Sequence, residues 1–310
     1  MKILVTGGAG FIGSHLSEAL VKAGHRVRVL DNFYSGQRRN LAAVRNDVEL
    51  VKGDCGDSRA AARAVKGVEV VYHEAAIPSV ARSVADPAGS HAANASATLN
   101  MLIAARDAGV RRFIYAGSSS VYGESPKLPK KESMTPAPLS PYAVAKLLGE
   151  HYLRVFCRLY GLQGMTLRYF NVFGPRQDPT SPYSGVISLF ATKLSSGATP
   201  VIFGDGRQTR DFTYVANVVR GNMLALRAKQ ADGLSMNLAT GRRISLRALL
   251  SEMAKLTGRP AKATYKPVRA GDIRHSLADI TLARRILGYE PIVRFEDGLV
   301  KTVDWYRSGR

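Results

Sequence analysis

Short apolar segments alternate with amphipathic ones through the first half of the chain. The predicted strands, rich in β-branched and aliphatic residues, are 2–6, 26–30, 48–52, 68–73, 112–116 and 163–169. The predicted helices, in which apolar residues recur three or four positions apart, are 13–22, 59–64, 93–107 and 141–160. This order is typical of a doubly wound α/β domain, in which helices cover both faces of a parallel sheet.

The alternation ends near Asn171, and prolines then separate shorter segments. We expect residues 1–171 to form the first domain, and residues 172–209 and 239–310 to form a smaller mixed α/β domain. Residues 210–238 are expected to return to the first domain. A hydrophobic content of 45% over 310 residues is sufficient for a core of this size.

Composition and charge argue against several classes of protein. The apolar runs are shorter than the roughly 18 residues of a membrane-spanning helix, so we expect a cytoplasmic protein without a membrane segment. The two cysteines, Cys55 and Cys157, form neither a metal-binding nor a disulfide pattern. The net charge of +20 is scattered along the chain, which argues against a nucleic-acid partner and suits attraction of an anionic substrate.

A glycine-rich turn follows the first predicted strand. Gly7, Gly10 and Gly13 have the spacing that lets a backbone approach a pyrophosphate, and the helix after them offers free N–H groups. Phe11 and Ile12 belong to the same turn. The pattern predicts a dinucleotide-binding site.

Polar residues follow the second and third predicted strands. Asp31 and Asn32 come about 20 residues after the glycines, where a carboxylate binds the adenosine ribose and repels the 2′-phosphate of NADP. The predicted cofactor is therefore NAD. Asp54 and the backbone of Cys55 are expected to meet the adenine edge, with an ordinary turn aspartate as the alternative.

A tyrosine and a lysine share one face of the predicted helix 141–160. Ser140 suits the N-cap, and Tyr142 precedes Lys146 by about one turn. An ammonium group beside a phenol favours the phenolate, which can then act as a general base. An isolated Tyr–Lys pair is commonly a surface feature, but here it follows the glycine turn and the serine-rich segment 117–123.

Together these motifs resemble those of extended short-chain dehydrogenases/reductases, and in particular of the UDP-glucose/UDP-N-acetylglucosamine 4-epimerases. The resemblance extends nearly from end to end and includes segments 73–76, 79–83, 167–174, 210–212 and 269–272. The chain departs from it at Glu74, where a leucine or another neutral residue is more usual. We expect this position to matter less than the two alanines that follow it.

The resemblance implies a role for each residue of a site. Ser118, Tyr142 and Lys146 are the implied catalytic residues, with Tyr142 as acid/base and Lys146 holding the nicotinamide ribose and lowering the pKa of the tyrosine. Further implied NAD-binding residues are Ala75, Ala76, Asn94, Tyr142, Lys146 and Tyr169. The implied substrate-binding residues are Ser79, Ser118, Ser119, Ser120, Asn171, Phe203, Arg210, Arg269, Asp272 and Ser276.

The resemblance also implies transient oxidation of a UDP-hexose at C4. Tyr142 would take the proton of the 4-hydroxyl, Ser118 would hydrogen-bond the same oxygen, and the hydride would pass to NAD and return to the other face. Ser276 is small, and the resemblance associates a small residue there with acceptance of N-acetyl sugars. A homodimer through a helix pair that includes residues 141–160 is the corresponding expectation for assembly.

Three other functions share much of this pattern: a dehydratase, a uronate epimerase and a redox sensor. Ser119 and Ser120 stand where the resembling 4,6-dehydratases carry an Asp–Glu pair, which argues against a dehydratase. A UDP-glucuronate 4-epimerase needs only a different contact to the sugar carboxylate, so it stays open. A redox sensor that binds NAD without catalysis is the alternative of another class, and Ser118, Tyr142 and Lys146 argue against it.

Overall fold

The computed structural model of the chain describes residues 1–179, 185–229, 232–268 and 273–308. Its strands are β1 (Lys2–Thr6), β2 (Arg26–Asp31), β3 (Val48–Lys52), β4 (Val70–His73), β5 (Arg112–Ser118), β6 (Gln163–Tyr169), β7 (Val172–Phe173), β8 (Val201–Phe203), β9 (Thr209–Arg210), β10 (Thr213–Tyr214), β11 (Asp232–Leu238), β12 (Ile244–Ser245) and β13 (Thr264–Lys266). Its α-helices are α1 (Phe11–Lys22), α2 (Ser58–Val65), α3 (Val80–Ala85), α4 (Pro87–His91), α5 (Ala97–Asp107), α6 (Pro141–Tyr160), α7 (Val186–Ser195), α8 (Val215–Ala225), α9 (Leu246–Thr257), α10 (Thr281–Leu287) and α11 (Phe295–Arg307).

Seven parallel strands form the central sheet, in the spatial order β11-β6-β5-β4-β1-β2-β3. Alternate residues of β1 serve opposite faces: Ile3 and Val5 belong to one apolar cluster and Leu4 to another. The predicted doubly wound α/β fold is confirmed. Because the strand order reverses between β1 and β4, a crevice forms at their carboxyl ends, where such sheets bind ligands.

The observed elements differ from the predicted ones mainly at their ends. Helix α6 has the predicted bounds, because the Ser140 hydroxyl accepts the Ala143 N–H at 3.2 Å and Pro141 occupies the first turn. The predicted helix 93–107 is divided into a π-helical segment, Ala92–Ser96, and α5. There the Asn94 side chain donates to the Ser90 carbonyl at 2.8 Å, an acceptor that the wider turn leaves free.

The second half of the chain has its own apolar cluster, which includes Phe173, Phe212, Leu249 and Phe295. Its strand β11 nevertheless pairs with β6 and extends the central sheet. The proposed division into two domains stays a prediction. No helix in the described part of the chain is long and apolar enough to cross a membrane.

A buried arginine ties the two halves together. Arg112, at the start of β5, is 5% exposed, and its guanidinium donates to the carbonyl oxygens of Ala225 at 2.9 Å, Leu226 at 2.6 Å and Ala228 at 2.7 Å. The cation therefore satisfies carbonyls at the end of α8, where a helix leaves its last acceptors unpaired.

Candidate active site

A cleft of about 880 Å³ lies at the carboxyl ends of the central strands. Most of the predicted cofactor residues line it, namely Gly7, Gly10, Phe11, Ile12, Asp31, Asn32, Asp54, Cys55, Ala75, Ala76, Tyr142, Lys146 and Tyr169. They lie at or just after the ends of β1, β2, β3, β4 and β6, or on α1 and α6. Because parallel strands end at the same edge of a sheet, residues far apart in sequence meet in this one cleft.

The glycine turn packs directly against the loop that follows β4. Gly7 has a φ of 65°, and a Cβ atom there would lie 2.8 Å from the backbone N and Cα of Ala75. A Cβ atom on Gly13 would lie 2.2 Å from the carbonyl oxygen of Gly7. Both positions therefore require glycine, and the turn lies at the N-terminus of α1, where a helix has unpaired N–H groups.

The Asp31 carboxylate is fixed by the same turn. Its Oδ2 accepts the Ala9 N–H at 2.9 Å, and its Oδ1 accepts the Phe33 N–H at 2.8 Å. Burial raises the pKa of Asp31, and these two hydrogen bonds oppose the rise. Asn32 donates to Asp54 at 2.7 Å, so the polar residues after β2 and β3 form one wall.

Tyr142 and Ser118 meet where the end of β5 faces the first turn of α6. Burial raises the pKa of the Tyr142 phenol to about 12, against a hydrogen bond with Ser118 that lowers it. The Ser118 Oγ also lies 2.9 Å from the Oγ of Ser120 and accepts the Ser120 N–H at 3.2 Å. The arrangement holds the Tyr142 and Ser118 hydroxyl groups together; Tyr142 lines the cleft, and Ser118 is not among its lining residues.

The Lys146 ammonium group points toward β5. Its Nζ donates to the carbonyl oxygen of Ala116 at 2.8 Å. Burial lowers the pKa of Lys146 to about 8, while the charges of Glu74 and Glu150 oppose that change. Lys146 is not among the groups that shift the pKa of Tyr142. Burial has the largest effect on the tyrosine pKa here, and the predicted lowering by Lys146 stays a prediction.

The remaining predicted sugar-binding serines lie on two segments. Ser119 and Ser120 follow Ser118 directly and open a single 3₁₀ turn, Ser119–Tyr122. Ser79 lines the cleft at the start of α3, where its Oγ accepts the Arg82 N–H at 3.1 Å. The structure thus groups the three consecutive serines at the end of β5 and holds Ser79 on a separate loop.

A second cavity of about 230 Å³ contains three of the predicted substrate residues, Asn171, Phe203 and Arg210. Asn171 adopts a φ of 32° and donates through Nδ2 to the Ser276 Oγ at 3.4 Å. Gln177 lines both cavities, so the two spaces adjoin. The predicted residues Arg269 and Asp272 lie outside the described residues.

Asn94 is not among the residues that line the cleft, and its predicted contact with the cofactor stays a prediction. It is 1% exposed, its Oδ1 accepts the Ile77 N–H at 3.1 Å, and its Nδ2 donates to the Ser90 carbonyl at 2.8 Å. Ile77 does line the cleft. Asn94 therefore holds the loop that contains Ile77 in place through the hydrogen bond with the Ile77 N–H.

Several residues that line the cleft were not predicted as site residues from the sequence. Glu74 lines the cleft, and its carboxylate accepts the Tyr169 hydroxyl at 2.7 Å; the expectation that this position matters less than the two alanines stays a prediction. Arg82 stacks on the ring of Tyr34 at 4.9 Å, and both line the cleft. Arg176 also lines it, with a φ of 68°. Position 74 carried a visible signal, an acidic residue in an otherwise neutral segment.

Comparison with known proteins agrees with this geometry. Residues 3–239 match the NAD dependent epimerase/dehydratase family. The chain is 40% identical to a UDP-glucose 4-epimerase of Mycolicibacterium smegmatis, over 99% of both chains. Two solved structures superpose with TM-scores of 0.95 over 100% of this chain and 99% of theirs. One is a UDP-glucose 4-epimerase with UDP-glucose from Thermotoga maritima, 40% identical. The other is a UDP-N-acetylglucosamine 4-epimerase from Methanobrevibacter ruminantium in complex with UDP-N-acetylmuramic acid, 38% identical. The chain belongs to the NAD dependent epimerase/dehydratase family.

Proposed function

We propose that the chain inverts C4 of UDP-hexoses by transient oxidation with NAD. The substrates are UDP-glucose and UDP-galactose, and UDP-N-acetylglucosamine and UDP-N-acetylgalactosamine. The observation that carries the proposal is the hydrogen bond between Ser118 and Tyr142, with Lys146 on the same helix as Tyr142. Tyr142 and Lys146 line the cleft that begins at the glycine turn. The names of similar proteins support the choice of substrate, and two of these proteins were solved with UDP-sugars bound.

NAD fits the larger cleft in two respects. Gly7 and Gly13 leave no room for a Cβ atom, which suits close approach of a pyrophosphate to the backbone. Asp31 supplies a fixed carboxylate at one end, which suits ribose hydroxyls and disfavours a 2′-phosphate. When bound, NAD supplies the acceptor and donor of hydride.

The proton chemistry falls to Tyr142. A phenol with a pKa of about 12 is almost entirely protonated near neutral pH, so little phenolate is present to act as the base. Positive charge must therefore favour the phenolate when substrate and cofactor are bound. The Lys146 ammonium and the positive oxidised nicotinamide are the two charges that suit this need. Tyr142 then takes the proton of the 4-hydroxyl and gives it back, while Ser118 hydrogen-bonds the same oxygen.

The second cavity suits the nucleotide diphosphate end of the substrate. Arg210 offers a guanidinium group, Asn171 an amide, and Phe203 an apolar surface; arginine forks match phosphate oxygens. Arg269 and Asp272 complete the proposed nucleotide contacts, and Ser79, Ser119 and Ser120 the sugar contacts. The last two carry no carboxylate, which favours epimerisation over dehydration.

We further propose a cytoplasmic homodimer. Val155 and Leu159 on α6 are 47% and 65% exposed, and Val144 lies on the same helix face with 44% exposed. An exposed apolar stripe of this kind suits contact with another copy of the chain. Light scattering should give the mass of a dimer, and Leu159→Glu should give a monomer; a monomeric parent protein would contradict the proposal.

A panel of substrates tests the activity. UDP-glucose, UDP-N-acetylglucosamine and UDP-glucuronate should each be incubated to equilibrium, and their C4 epimers quantified. We expect conversion of the first two. Conversion of UDP-glucuronate alone would favour the uronate epimerase, and bound NAD without any conversion would favour the redox sensor.

A further inference from the structure

Glu74 brings an ionisable carboxyl group into the wall of the cofactor cleft, in a segment where a neutral residue was expected. Its Oε1 accepts the Tyr169 hydroxyl at 2.7 Å. Its Oε2 is buried and has no hydrogen-bond partner among the described residues. One oxygen of the carboxylate is therefore fixed, and the other remains unsatisfied beside the cleft.

Groups from several elements face this carboxyl group. Tyr169 ends β6 and is itself held by Asn222 of α8, whose Nδ2 donates to its hydroxyl at 2.8 Å. Tyr72 comes from β4 and interacts with the charge of Glu74. Lys146 of α6 is the cation whose charge acts on Glu74. Burial raises the pKa of Glu74 to about 7, and the Tyr169 hydrogen bond and the Lys146 charge oppose that rise.

Glu150, the second carboxylate that acts on Lys146, differs in one respect. It is paired with Arg168 at 2.7 Å, in an ion pair whose side chains are 1% and 3% exposed. Its charge is therefore neutralised locally. Glu74 has no ion pair of this kind among the described residues, so its charge extends into the cleft through a medium of low polarity.

We propose that the Glu74 carboxylate biases NAD in this cleft toward the oxidised state. The inference rests on the proposed use of NAD. Oxidised nicotinamide carries a positive charge and reduced nicotinamide does not, so a nearby anion stabilises the former. In the oxidation, two electrons and one proton leave C4 of the sugar as hydride for the nicotinamide, and the hydroxyl proton goes to Tyr142. A negative Glu74 opposes this step and assists its reversal, which shortens the lifetime of the 4-keto sugar.

The test is a redox titration of the cofactor bound to the full chain, without sugar, followed by the absorbance of the reduced nicotinamide in the presence of mediator dyes. Glu74→Gln removes the charge with little change of volume. At equal applied potential above pH 7, we expect it to raise the ratio of reduced to oxidised bound cofactor about tenfold, or about 30 mV. The difference should shrink as the pH falls and the wild-type carboxyl takes up its proton.

Two variants serve as controls. Glu74→Asp keeps the charge and should keep a midpoint close to that of the wild type. Glu132→Gln neutralises a carboxyl group whose pKa burial also raises, but which binds the Asn237 N–H and does not line the cleft; it should leave the midpoint unchanged. The Glu74 charge raises the pKa of Lys146. Glu74→Gln therefore also reduces the positive charge on Lys146 above pH 7, and the measured shift of the midpoint is the net of the two changes.

The wild type offers a second measurement if Glu74→Gln does not fold. As reduction removes the positive charge, the pKa of Glu74 should rise, and Glu74 should take up part of a proton per two electrons near neutral pH. This uptake steepens the dependence of the midpoint on pH. Equal midpoints for the wild type and Glu74→Gln over the whole pH range, or no steepening, would overturn the inference. A wild-type protein that holds no NAD would instead contradict the proposed function.

Discussion

Two walls of the site are built from different kinds of chain segment: the cofactor wall, which is proposed to contact NAD, and the substrate wall, which is proposed to contact the UDP-sugar. Gly7, Asp31 and Ala75 lie where parallel strands end, and the backbone itself closes one turn over another. Asn171 and Ser276 instead come from loops 105 positions apart, and a hydrogen bond of 3.4 Å joins them. The positions of residues in the first wall follow from the geometry of the parallel strands, and those in the second wall follow from contacts between distant loops.

This difference decides which substitutions a wall can accept. A methyl group on Gly13 would overlap the carbonyl oxygen of Gly7, so the cofactor wall tolerates almost no substitution there. The segment around Ser276 is held by hydrogen bonds between loops: the Ser276 N–H donates to the Thr209 carbonyl at 3.0 Å, and the Lys130 N–H donates to the Leu277 carbonyl at 2.7 Å. We therefore expect that substitutions at Ser276 can change the substrate range while the cofactor site stays the same.

The largest effect is expected where the two walls meet, at Tyr142. Tyr142→Phe removes one hydroxyl and should lower kcat by about 10²- to 10⁴-fold, because general acid/base catalysis is lost. The amount of NAD that copurifies should not change. Tyr122→Phe is the matched control: this tyrosine is also buried and donates to Asn237 at 2.7 Å, but lies outside the cleft lining. A loss below about tenfold in kcat for Tyr142→Phe would contradict its role as the base.

A smaller and selective effect is expected in the substrate wall. Ser276→Tyr adds a ring at a position that is 8% exposed, and overpacking of roughly 1 to 3 kcal/mol should reduce kcat/KM for the N-acetyl sugars about tenfold to hundredfold. UDP-glucose and UDP-galactose should be affected much less. Ser276→Ala removes only the hydroxyl that Asn171 contacts and should spare both pairs. Equal losses on both pairs would show that pocket width is set elsewhere.

The smallest effect is expected in the cofactor wall, at Asp31. Asp31→Ala removes the acceptor of two backbone N–H groups and the proposed ribose contact, so the Kd for NAD should rise about tenfold. The preference for NAD over NADP should narrow at the same time, as measured by calorimetry with each cofactor. Recovery of NADP rather than NAD from the purified wild type would show that the carboxylate does not exclude the 2′-phosphate.

The sequence was most informative where function follows strand geometry. The glycine turn, Asp31 and the Tyr142–Lys146 spacing each occupy a position that the chain's own periodicity defines. Contacts between distant segments carry no such signature. The hydrogen bond of Glu74 to Tyr169 spans 95 positions, and the role of Asn94 behind Ile77 depends on a π-helical turn that periodicity does not predict. The direction of the Lys146 ammonium group likewise depends on the Ala116 carbonyl of a different strand.

The buried guanidinium of Arg112 has a consequence for how the protein matures on the ribosome. The strands β1 to β6 are complete once residue 169 has been synthesised, but the carbonyls that pair with Arg112 belong to residues 225–228, and β11 covers the edge of β6 only after residue 238. Until then, the Arg112 guanidinium lacks its three carbonyl acceptors and keeps only Gln163, and the edge of β6 is open, a state prone to aggregation. Translation must therefore run through most of the chain before the NAD-binding sheet can become stable, and a nascent chain stalled earlier should depend on chaperones.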